Sequence, residues 1–231
     1  MSRVSPFGTS PIFNMLYIVA TPIGNLKDIS LRAIEVLKSV DLIACEDTRH
    51  TKILLSHYDI KTPTTSFFQH NRFVKAEYIL NLLQQGKNIA LVSDAGSPGI
   101  LDPGYNLINL AIKNNLEMTF IPGATAFVNA LVLSGKPAHE FYFAGFLPNR
   151  TGARKNQLGK LKKLSCTLVF YESCHRILAT LEDIDAVFGE REIVVARELT
   201  KKFEEILRGS PKVVQEKLAK SKPRGEFVVI I

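Results

Sequence analysis

The chain has 231 residues, enough for one large domain or two smaller ones, and its 46% hydrophobic and 22% charged residues are typical of a globular protein. No run reaches the about 18 apolar residues of a membrane-spanning helix, so no membrane span is predicted, whereas the net charge of +7 favours a polyanionic partner. The three cysteines lack a disulfide pattern and the N-terminus lacks a signal peptide, so we expect a cytoplasmic protein with reduced thiols. We expect residues 1–14 to form a disordered extension.

The first half of the chain alternates short apolar runs with amphipathic segments. Apolar runs bounded by turn residues predict buried strands over 16–19, 42–45, 89–92 and 118–121, with a further strand over 64–68. The segments between them predict helices over 31–40 capped by Ser30, over 48–57 capped by Thr48, over 73–85, and in stretches that end near 114 and 133. This alternation favours a parallel sheet with right-handed crossovers.

A break in the pattern falls at Ser134-Gly135-Lys136-Pro137. We predict a domain boundary there, with an N-terminal α/β domain over 15–134 and a C-terminal α/β domain over 135–231. In the second domain, strands are predicted over 141–144, 166–171, 192–196, 205–208 and 227–231, with helices over 152–164, 173–188 and 211–219. The second domain is therefore expected to contain a mixed sheet.

Three loops rich in glycine and proline each follow a predicted strand of the first domain, over 20–25, 93–99 and 122–126. The carboxyl ends of parallel strands meet at one edge of a sheet, which is where open α/β sheets bind ligands. The middle loop continues to Gly104, and its length also favours a functional role. None of the three matches a dinucleotide-binding fingerprint or a phosphate-binding P-loop.

Charged residues follow another strand of the first domain, at Glu46-Asp47-Thr48-Arg49. The arginine could hold the carboxylates or bind a phosphate bidentately, and the alternative interpretation is a helix cap with a local ion pair. In the second domain, Tyr171-Glu172-Ser173 and the segment 197–202 follow predicted strands in the same way, and we expect them to face the first domain across a cleft.

A run of basic residues lies near the start of the second domain. Six cations and no carboxylates occur over 150–163, namely Arg150, Arg154, Lys155, Lys160, Lys162 and Lys163. Such a run suits an RNA backbone, although a solvated helix face is the ordinary alternative. The Cys174-His175 pair has no second pair at ligand spacing, so we expect it to be structural and no metal to be bound.

These motifs together resemble the ribosomal RNA small-subunit methyltransferase I family, a branch of the tetrapyrrole methylase superfamily. The resemblance covers residues 15–231 and is carried by 16–26, Glu46-Asp47-Thr48-Arg49, Ser93-Asp94-Ala95-Gly96, 122–126, 145–148, 171–173, 175–176, 197–201 and Gly225-Glu226. It implies a two-domain tetrapyrrole-methylase-like α/β fold with S-adenosylmethionine in the cleft between the domains. It also implies a homodimer that methylates the 2′-oxygen of a cytidine ribose in the decoding region of 16S ribosomal RNA, within the small ribosomal subunit.

The same resemblance implies which residues contact the cofactor, mostly through their backbone. They are Pro22 in the first loop, Ser93, Asp94, Ala95 and Gly96 in the middle loop, Thr125 and Ala126 in the third, and Tyr171, Glu172, Arg197 and Glu198 in the second domain. Members typically have proline at the position of Cys174 and serine at that of Leu101. Many also continue beyond Glu226 with a short extension, and we expect any RNA-binding role of that extension to be absent here.

Methylation of a ribose hydroxyl benefits from a general base, because a protonated hydroxyl is a poor nucleophile. The residues considered for that role are Glu46, Asp47, Glu172 and Glu198, with Lys201 or Arg49 holding a phosphate or a developing oxyanion. We expect Glu198→Gln to lower the rate far more than the affinity for the cofactor. The alternatives left open are a methylase of a tetrapyrrole or another small molecule, and a catalytically silent RNA-binding relative.

Overall fold

The computed structural model describes residues 14–69, 72–220 and 222–231. The extension predicted over residues 1–14 lies outside these ranges except for Asn14. Contacts divide the chain into two units, Met1–Thr125 and Ala126–Ile231.

The first unit contains a five-stranded parallel sheet. Its strands are β1 (Leu16–Val19), β2 (Leu42–Cys45), β3 (Thr64–Ser66), β4 (Ile89–Val92) and β5 (Met118–Ile121), in the order β3-β2-β4-β1-β5. Its helices are α1 (Leu31–Ser39), α2 (Thr48–His57), α3 (Arg72–Gln84) and α4 (Gly104–Lys113). The predicted parallel sheet is confirmed, and four of the five predicted strands have the predicted bounds.

Successive side chains of each strand enter two different cores, one on either face of the sheet. Tyr17 and Val19 pack with residues of α1 and α2, whereas Leu16 packs with residues of α3 and α4. Both faces of the sheet are thus covered by helices, which is why the strands β1, β2 and β4 are continuous apolar runs rather than alternating ones.

Side-chain caps begin two of these helices. Ser30 Oγ accepts a hydrogen bond from the Ala33 amide at 3.2 Å, as predicted for α1. At α2 the cap is Asp47 rather than Thr48, since Asp47 Oδ1 accepts from the Arg49 amide at 2.8 Å. The Asp47 carboxylate is therefore bonded to the first turn of α2.

The second unit contains a mixed five-stranded sheet, as predicted. Its strands are β6 (Phe141–Phe146), β7 (Thr167–Ser173), β8 (Ile193–Arg197), β9 (Glu205–Gly209) and β10 (Glu226–Ile230), in the order β6-β7-β10-β8-β9. Only the β6–β7 pair is parallel. Its helices are α5 (Ala126–Ser134), α6 (Thr151–Leu161), α7 (Ile177–Phe188) and α8 (Pro211–Ala219). Side chains of α6, α7 and α8 form one core with Leu168 and Phe170 of β7.

The boundary between the units precedes the predicted one by the length of α5. This helix contacts β7, β8 and β10 of the second sheet, and Ala130 and Leu131 are buried. The break at Ser134-Gly135-Lys136-Pro137 is therefore the turn between α5 and β6, not the junction of the two units.

Candidate active site

The loops after β1 and β4 are joined at the carboxyl edge of the first sheet. The Thr21 amide donates to the Gly96 carbonyl oxygen at 2.9 Å, and the Gly96 amide donates to the Thr21 carbonyl oxygen at 3.1 Å. Thr21 Oγ1 also donates to the Ser93 carbonyl oxygen at 3.0 Å. Gly96 has φ of +80°, which favours glycine. These bonds fix Pro22 and the Ser93–Gly96 segment relative to each other.

The loop after β5 lies against the same two loops. Thr125 Oγ1 and Ser97 Oγ share a hydrogen bond of 2.9 Å. A Cβ on Gly123 would lie 3.0 Å from the Cβ of Ala20, so the backbones after β1 and β5 approach closely. The structure thus brings together the cofactor residues that the family resemblance implies for the first unit, from Pro22 to Thr125.

The middle loop is folded around the Asp102 carboxylate, which sequence reasoning missed. Its oxygens accept from the amide of Gly99 at 2.8 Å and from that of Gly104 at 2.6 Å. A Cβ on Gly104 would lie 2.7 Å from Asp102 Oδ1, so a larger residue would displace the carboxylate. Leu101 has φ of +62°, an uncommon conformation for a leucine. The Asp-Pro-Gly sequence inside a long loop was the available signal.

Three carboxylates form an acidic edge in the first unit: Glu46, Asp94 and Asp102. Burial raises the pKa of Glu46, and the negative charges of Asp94 and Asp102 raise it further. Burial likewise raises the pKa of Asp102, despite the backbone amides that bond to it. Asp94 Oδ1 accepts from the Asp47 amide at 3.0 Å, which ties the loops after β2 and β4 together. The acidic edge favours a positively charged ligand.

Asp47 and Arg49 form a local ion pair beside the acidic edge. Arg49 Nη2 lies 2.9 Å from Asp47 Oδ2, and Arg49 Nε donates to Asp47 Oδ1 at 3.2 Å. The hydrogen bonds from the Arg49 side chain and amide lower the pKa of Asp47 to about 2. Asp47 therefore acts as a helix cap with a local partner, which is the alternative interpretation given above.

Glu172 is buried in the second unit with its carboxylate fully bonded. Arg176 Nη2 lies 2.6 Å from Glu172 Oε1, which also accepts from the Ser173 amide at 2.7 Å, while Thr180 Oγ1 donates to Oε2 at 2.7 Å. A contact from Glu172 to a cofactor must therefore come from its backbone. Its neighbour Tyr171 accepts from the Phe127 amide at 3.3 Å through its hydroxyl oxygen, and burial raises the pKa of that hydroxyl.

Glu198 is also held in an ion-pair network. Lys201 Nζ lies 2.9 Å from both Glu198 Oε1 and Glu226 Oε2. Burial raises the pKa of Glu198, but the Lys201 ammonium and the Glu226 amide together outweigh burial, so the net pKa is lowered. A Cβ on Gly225, where φ is +89°, would overlap the Glu198 carboxylate. Glu198 and Thr200 themselves have φ of +51° and +65°, so this turn is strained.

The second-unit residues implied by the resemblance share one edge of the second sheet. Glu172 and Arg197 both pair with Phe227, one on each side of β10. The Arg197 side chain donates to the Arg224 carbonyl oxygen at 2.9 Å and lies 3.4 Å from Glu205. Ala126 is the first residue of α5. Sequence reasoning missed the partners that commit these side chains, which are Arg176 for Glu172 and the Arg224 carbonyl oxygen for Arg197.

Within residues 14–69, 72–220 and 222–231, no helix has the length and apolar character to cross a bilayer. In the same ranges, no three His, Cys, Asp or Glu side chains are arranged as ligands of one metal ion.

Comparison with known proteins gives the class first. The family model described as Tetrapyrrole (Corrin/Porphyrin) Methylases matches residues 15–213, so the chain belongs to this family of methylases. A solved structure of a cobalamin biosynthetic enzyme, cobalt precorrin-4 methyltransferase, is similar with a TM-score of 0.70 and 14% identity, covering 94% of both chains. At that identity the likeness shows the fold alone.

Relatives with higher sequence identity show to which family of methylases the chain belongs. Proteins named Ribosomal RNA small subunit methyltransferase I are 47% identical in Halalkalibacterium halodurans and 46% identical in Thermotoga maritima. Each match covers 94% of this chain, with 75% and 97% of the respective relative. Within the methylases, the chain belongs to the ribosomal RNA small subunit methyltransferase I family, and the resemblance drawn from its motifs is confirmed.

Proposed function

We propose that the chain transfers a methyl group from S-adenosylmethionine to the 2′-oxygen of a cytidine ribose in the decoding region of 16S ribosomal RNA. The observation that carries the proposal is the 47% identity, over 94% of the chain, to a protein named for small-subunit ribosomal RNA methylation. The joined loops and the acidic edge of the first unit support it, because they provide a place for a charged methyl donor beside a carboxylate that can take a proton.

The first unit fits S-adenosylmethionine by charge and by backbone. When bound, the cofactor supplies a methyl group on a positively charged sulfur, and the acidic edge would stabilise that cation and the cofactor's ammonium group. Pro22, the segment Ser93–Gly96 and Thr125 would hold it, largely through backbone groups exposed at the glycines. The Glu172 and Arg197 side chains of the second unit are committed elsewhere, so any contact with a ligand that these two residues make would come from their backbone.

Among the candidate bases, the structure favours Glu46. Glu46 is half-buried, its pKa is raised by burial and by two neighbouring carboxylates, and its side chain makes no hydrogen bond or ion pair within the described ranges. By contrast, Asp47 is bonded to Arg49, Glu172 is buried and fully bonded, and Glu198 is bonded to Lys201. A base whose pKa lies nearer neutrality accepts a proton more readily.

In this mechanism the chain orients the ribose and moves one proton. The 2′-oxygen would take the methyl group while the methyl–sulfur bond breaks and the cofactor leaves as a neutral thioether. The proton of the 2′-hydroxyl would pass to the Glu46 carboxylate, which would later release it to water. The loops after β1, β4 and β5 keep donor and acceptor in line and exclude water. The Glu198–Lys201–Glu226 network would hold the turn after β8, because Lys201 Nζ lies 2.9 Å from an oxygen of each carboxylate.

We propose the assembled small ribosomal subunit as the substrate and the cytoplasm as the place of reaction. The net charge of +7 supports binding to RNA. We also propose a homodimer, supported by the exposed apolar side chains of Val128, Val132 and Leu133 on α5. Light scattering tests the dimer, with an expected mass of twice the 25.7 kDa of one chain.

The proposed reaction is tested by methyl transfer from labelled S-adenosylmethionine to small subunits that lack their native modification. The expected product carries label at one cytidine, and the adjacent bond resists alkaline hydrolysis because the 2′-hydroxyl is blocked. Label on a base, or label at an alkali-sensitive position, would contradict the 2′-O assignment. Transfer to a tetrapyrrole but not to subunits would contradict the RNA substrate.

A further inference from the structure

The basic run over 150–163 is not one continuous cationic surface. Arg154 is buried, with Nη2 2.6 Å from Asp183 Oδ2, and this corrects the sequence-based expectation that the cations of the run together suit an RNA backbone. Lys155 lies 3.5 Å from the same aspartate, and Lys162 donates to the Val187 carbonyl oxygen at 2.7 Å. Half of the six cations are therefore bonded within the second unit.

A groove of about 500 Å³ lies in the first unit, between α2 and the segment 60–64 that leads into β3. We call it the α2–β3 groove, and ten residues line it: Thr48, Arg49, Lys52, Leu55, Ser56, Ile60, Lys61, Thr62, Pro63 and Thr64. The other α2 residues of this set are three or four positions from Lys52, which puts them on one side of the helix. Because β3 is the edge strand of the first sheet, no further strand of that sheet covers the groove.

The floor of the α2–β3 groove is apolar and fixed. Leu55 and Ile60 are buried in the core that α1 and α2 form with the sheet. The Ile60 amide donates to the Leu55 carbonyl oxygen at 2.8 Å, and Thr62 Oγ1 donates to the Leu37 carbonyl oxygen at 2.6 Å. The two walls are thus held together before any ligand binds, which lowers the entropy cost of binding.

The charged residues of the groove are all cations. Arg49, Lys52 and Lys61 line it, and its described lining includes no carboxylate. Lys52 is exposed and has no ion pair with another described residue. Lys61 lies 3.6 Å from Asp59, but the two side chains are 86% and 82% exposed, and such a pair is weak in water. Arg49 bonds to Asp47 through Nε and Nη2, which leaves the two protons of Nη1 for another acceptor.

The groove begins beside the candidate base. Thr48 and Arg49 follow Glu46 by two and three residues, so one end of the groove adjoins the acidic edge. The acidic edge suits the positively charged cofactor, whereas the groove suits an anion. S-adenosylmethionine has no phosphate, but an RNA substrate has a phosphate on either side of the ribose that accepts the methyl group.

We propose that the α2–β3 groove binds phosphates of the RNA substrate next to the ribose that is methylated. Lys52 and Lys61 contact these phosphates, and Arg49 donates to the one nearest Glu46. Contacts to phosphates position a strand without reading its sequence, so the groove orients the RNA and does not select the cytidine. The inference rests on the proposed function for its choice of RNA, and it adds the surface that holds the strand.

The salt dependence of RNA binding tests the inference without methyl transfer. Fluorescence anisotropy of a labelled single-stranded RNA of about 12 nucleotides is measured with the full chain at several salt concentrations. The slope of log affinity against log salt becomes shallower by about 0.7 for each phosphate no longer neutralised. The double variant Lys52→Ala, Lys61→Ala should therefore reduce the slope by about 1.4 and bind about 25-fold more weakly at about 0.1 M salt.

Two single variants show whether position or net charge matters. Lys52→Ala should reduce the slope by about 0.7, whereas Lys52→Arg should retain it because the charge remains. Lys113→Ala is the matched control: Lys113 is also an exposed helix lysine, but α4 packs on the opposite face of the first sheet. It removes the same charge and should bind RNA as the unchanged chain does. Thermal unfolding checks that each variant is folded.

Several results would overturn the inference. They are equal slopes for the folded double variant and the unchanged chain, an equal change of slope in Lys113→Ala, and RNA binding by the unchanged chain that does not depend on salt. Calorimetric titration should give the same dissociation constant for S-adenosylmethionine in the double variant, and a parallel loss would overturn the inference in favour of a cofactor site. A chain that binds RNA with the expected slopes but does not methylate small subunits would contradict the proposed function alone.

Discussion

Both units have carboxylates at the ends of strands, but these carboxylates differ in whether a cation is bonded to them. In the second unit, Glu172 and Glu198 are each bonded to a cation, Arg176 and Lys201 respectively. At the acidic edge of the first unit, no ion pair within the described ranges joins Glu46, and burial together with like charges raises its pKa. The same residue type thus stabilises the fold in one unit and remains available for chemistry in the other.

This difference shows why position alone cannot assign a catalytic role. A carboxylate at a strand end is equally visible in the sequence whether or not it is paired. The pairing partners come from distant positions, such as Thr180 for Glu172 and Glu226 for the Lys201 that binds Glu198. A half-buried carboxylate that has a raised pKa and no ion-pair partner destabilises the folded chain. Such a residue points to a functional role, because folding alone gives no reason to keep a charged group there.

The largest expected effect follows from removing the Glu46 carboxylate. Glu46→Gln should lower kcat by about 10²- to 10⁴-fold, the usual contribution of a general base, and should lower the affinity for S-adenosylmethionine much less, because Asp94 and Asp102 still carry the charge of the acidic edge. The measurement is single-turnover methyl transfer to small subunits. Asp47→Asn is the matched control, because its carboxylate is already bonded to Arg49, and it should retain most of the rate.

The raised pKa of Glu46 also predicts how rate and stability depend on pH. Log kcat/KM should rise with pH up to the pKa of Glu46 and then level off, and this acid limb should vanish in Glu46→Gln. A carboxyl whose pKa is higher in the folded chain than in the unfolded chain contributes stability that is fully present below its unfolded pKa. That stability is lost as pH rises through the folded pKa, so Glu46→Gln should be at least as stable as the unchanged chain at neutral pH. Urea denaturation at two pH values decides this, and a less stable variant at neutral pH would argue for a structural role.

Removing a paired carboxylate should instead lower the free energy of unfolding. Glu172→Ala leaves the Arg176 guanidinium without its carboxylate and should lower the free energy of unfolding by about 3–5 kcal/mol. The double variant Glu172→Leu, Arg176→Met should recover much of that loss, since it removes both charges together. An unchanged unfolding midpoint in Glu172→Ala would show that the pair contributes little.

A smaller effect is expected at Gly225. Alanine there would be forced into the left-handed region and would overlap the Glu198 carboxylate, so Gly225→Ala should lower the free energy of unfolding by at least about 1–2 kcal/mol. The change should also displace Glu198 from Lys201. Thermal unfolding checks the stability, and a variant as stable as the unchanged chain would mean that the turn adjusts freely.

The smallest effect has the opposite sign. Gly159→Ala adds a Cβ into open space within α6, so it should raise the free energy of unfolding by about 1 kcal/mol. The same thermal scans compare it with Gly225→Ala. A loss of stability would contradict the finding that a Cβ at Gly159 has open space around it.

Much of the fold could be predicted from the sequence because buried parallel strands are short apolar runs. The bounds of β1, β2, β4 and β5 were predicted without error, and the mixed character of the second sheet was also predicted. The β-bulge between Phe143 and Phe146 of β6 could not be, since it depends on the register with β7. The burial of Arg154 was also missed, because its partner Asp183 lies on another helix, beyond the reach of local charge patterns.

The loops that form the candidate site could be predicted from the sequence, but the roles of its individual carboxylates could not. Pro22, the Ser93–Gly96 segment and Thr125 could be placed together because carboxyl ends of parallel strands meet at one edge. Whether Glu46 or Glu198 is the freer carboxylate depends on Lys201 and Gly225 in three dimensions. The expectation that Glu198→Gln chiefly lowers the rate stays a prediction, and the geometry now favours Glu46 for that effect.

The most direct test is a side-by-side measurement of Glu46→Gln and Glu198→Gln in single-turnover methylation of small subunits at saturating S-adenosylmethionine. We expect a rate at least about 100-fold lower for Glu46→Gln in a chain of undiminished stability. For Glu198→Gln we expect a smaller loss of rate together with a lower unfolding midpoint. The reverse pattern, a near-normal rate for Glu46→Gln and a large loss for a stable Glu198→Gln, would contradict the assignment of Glu46 as the general base and move that role to Glu198 in the second unit.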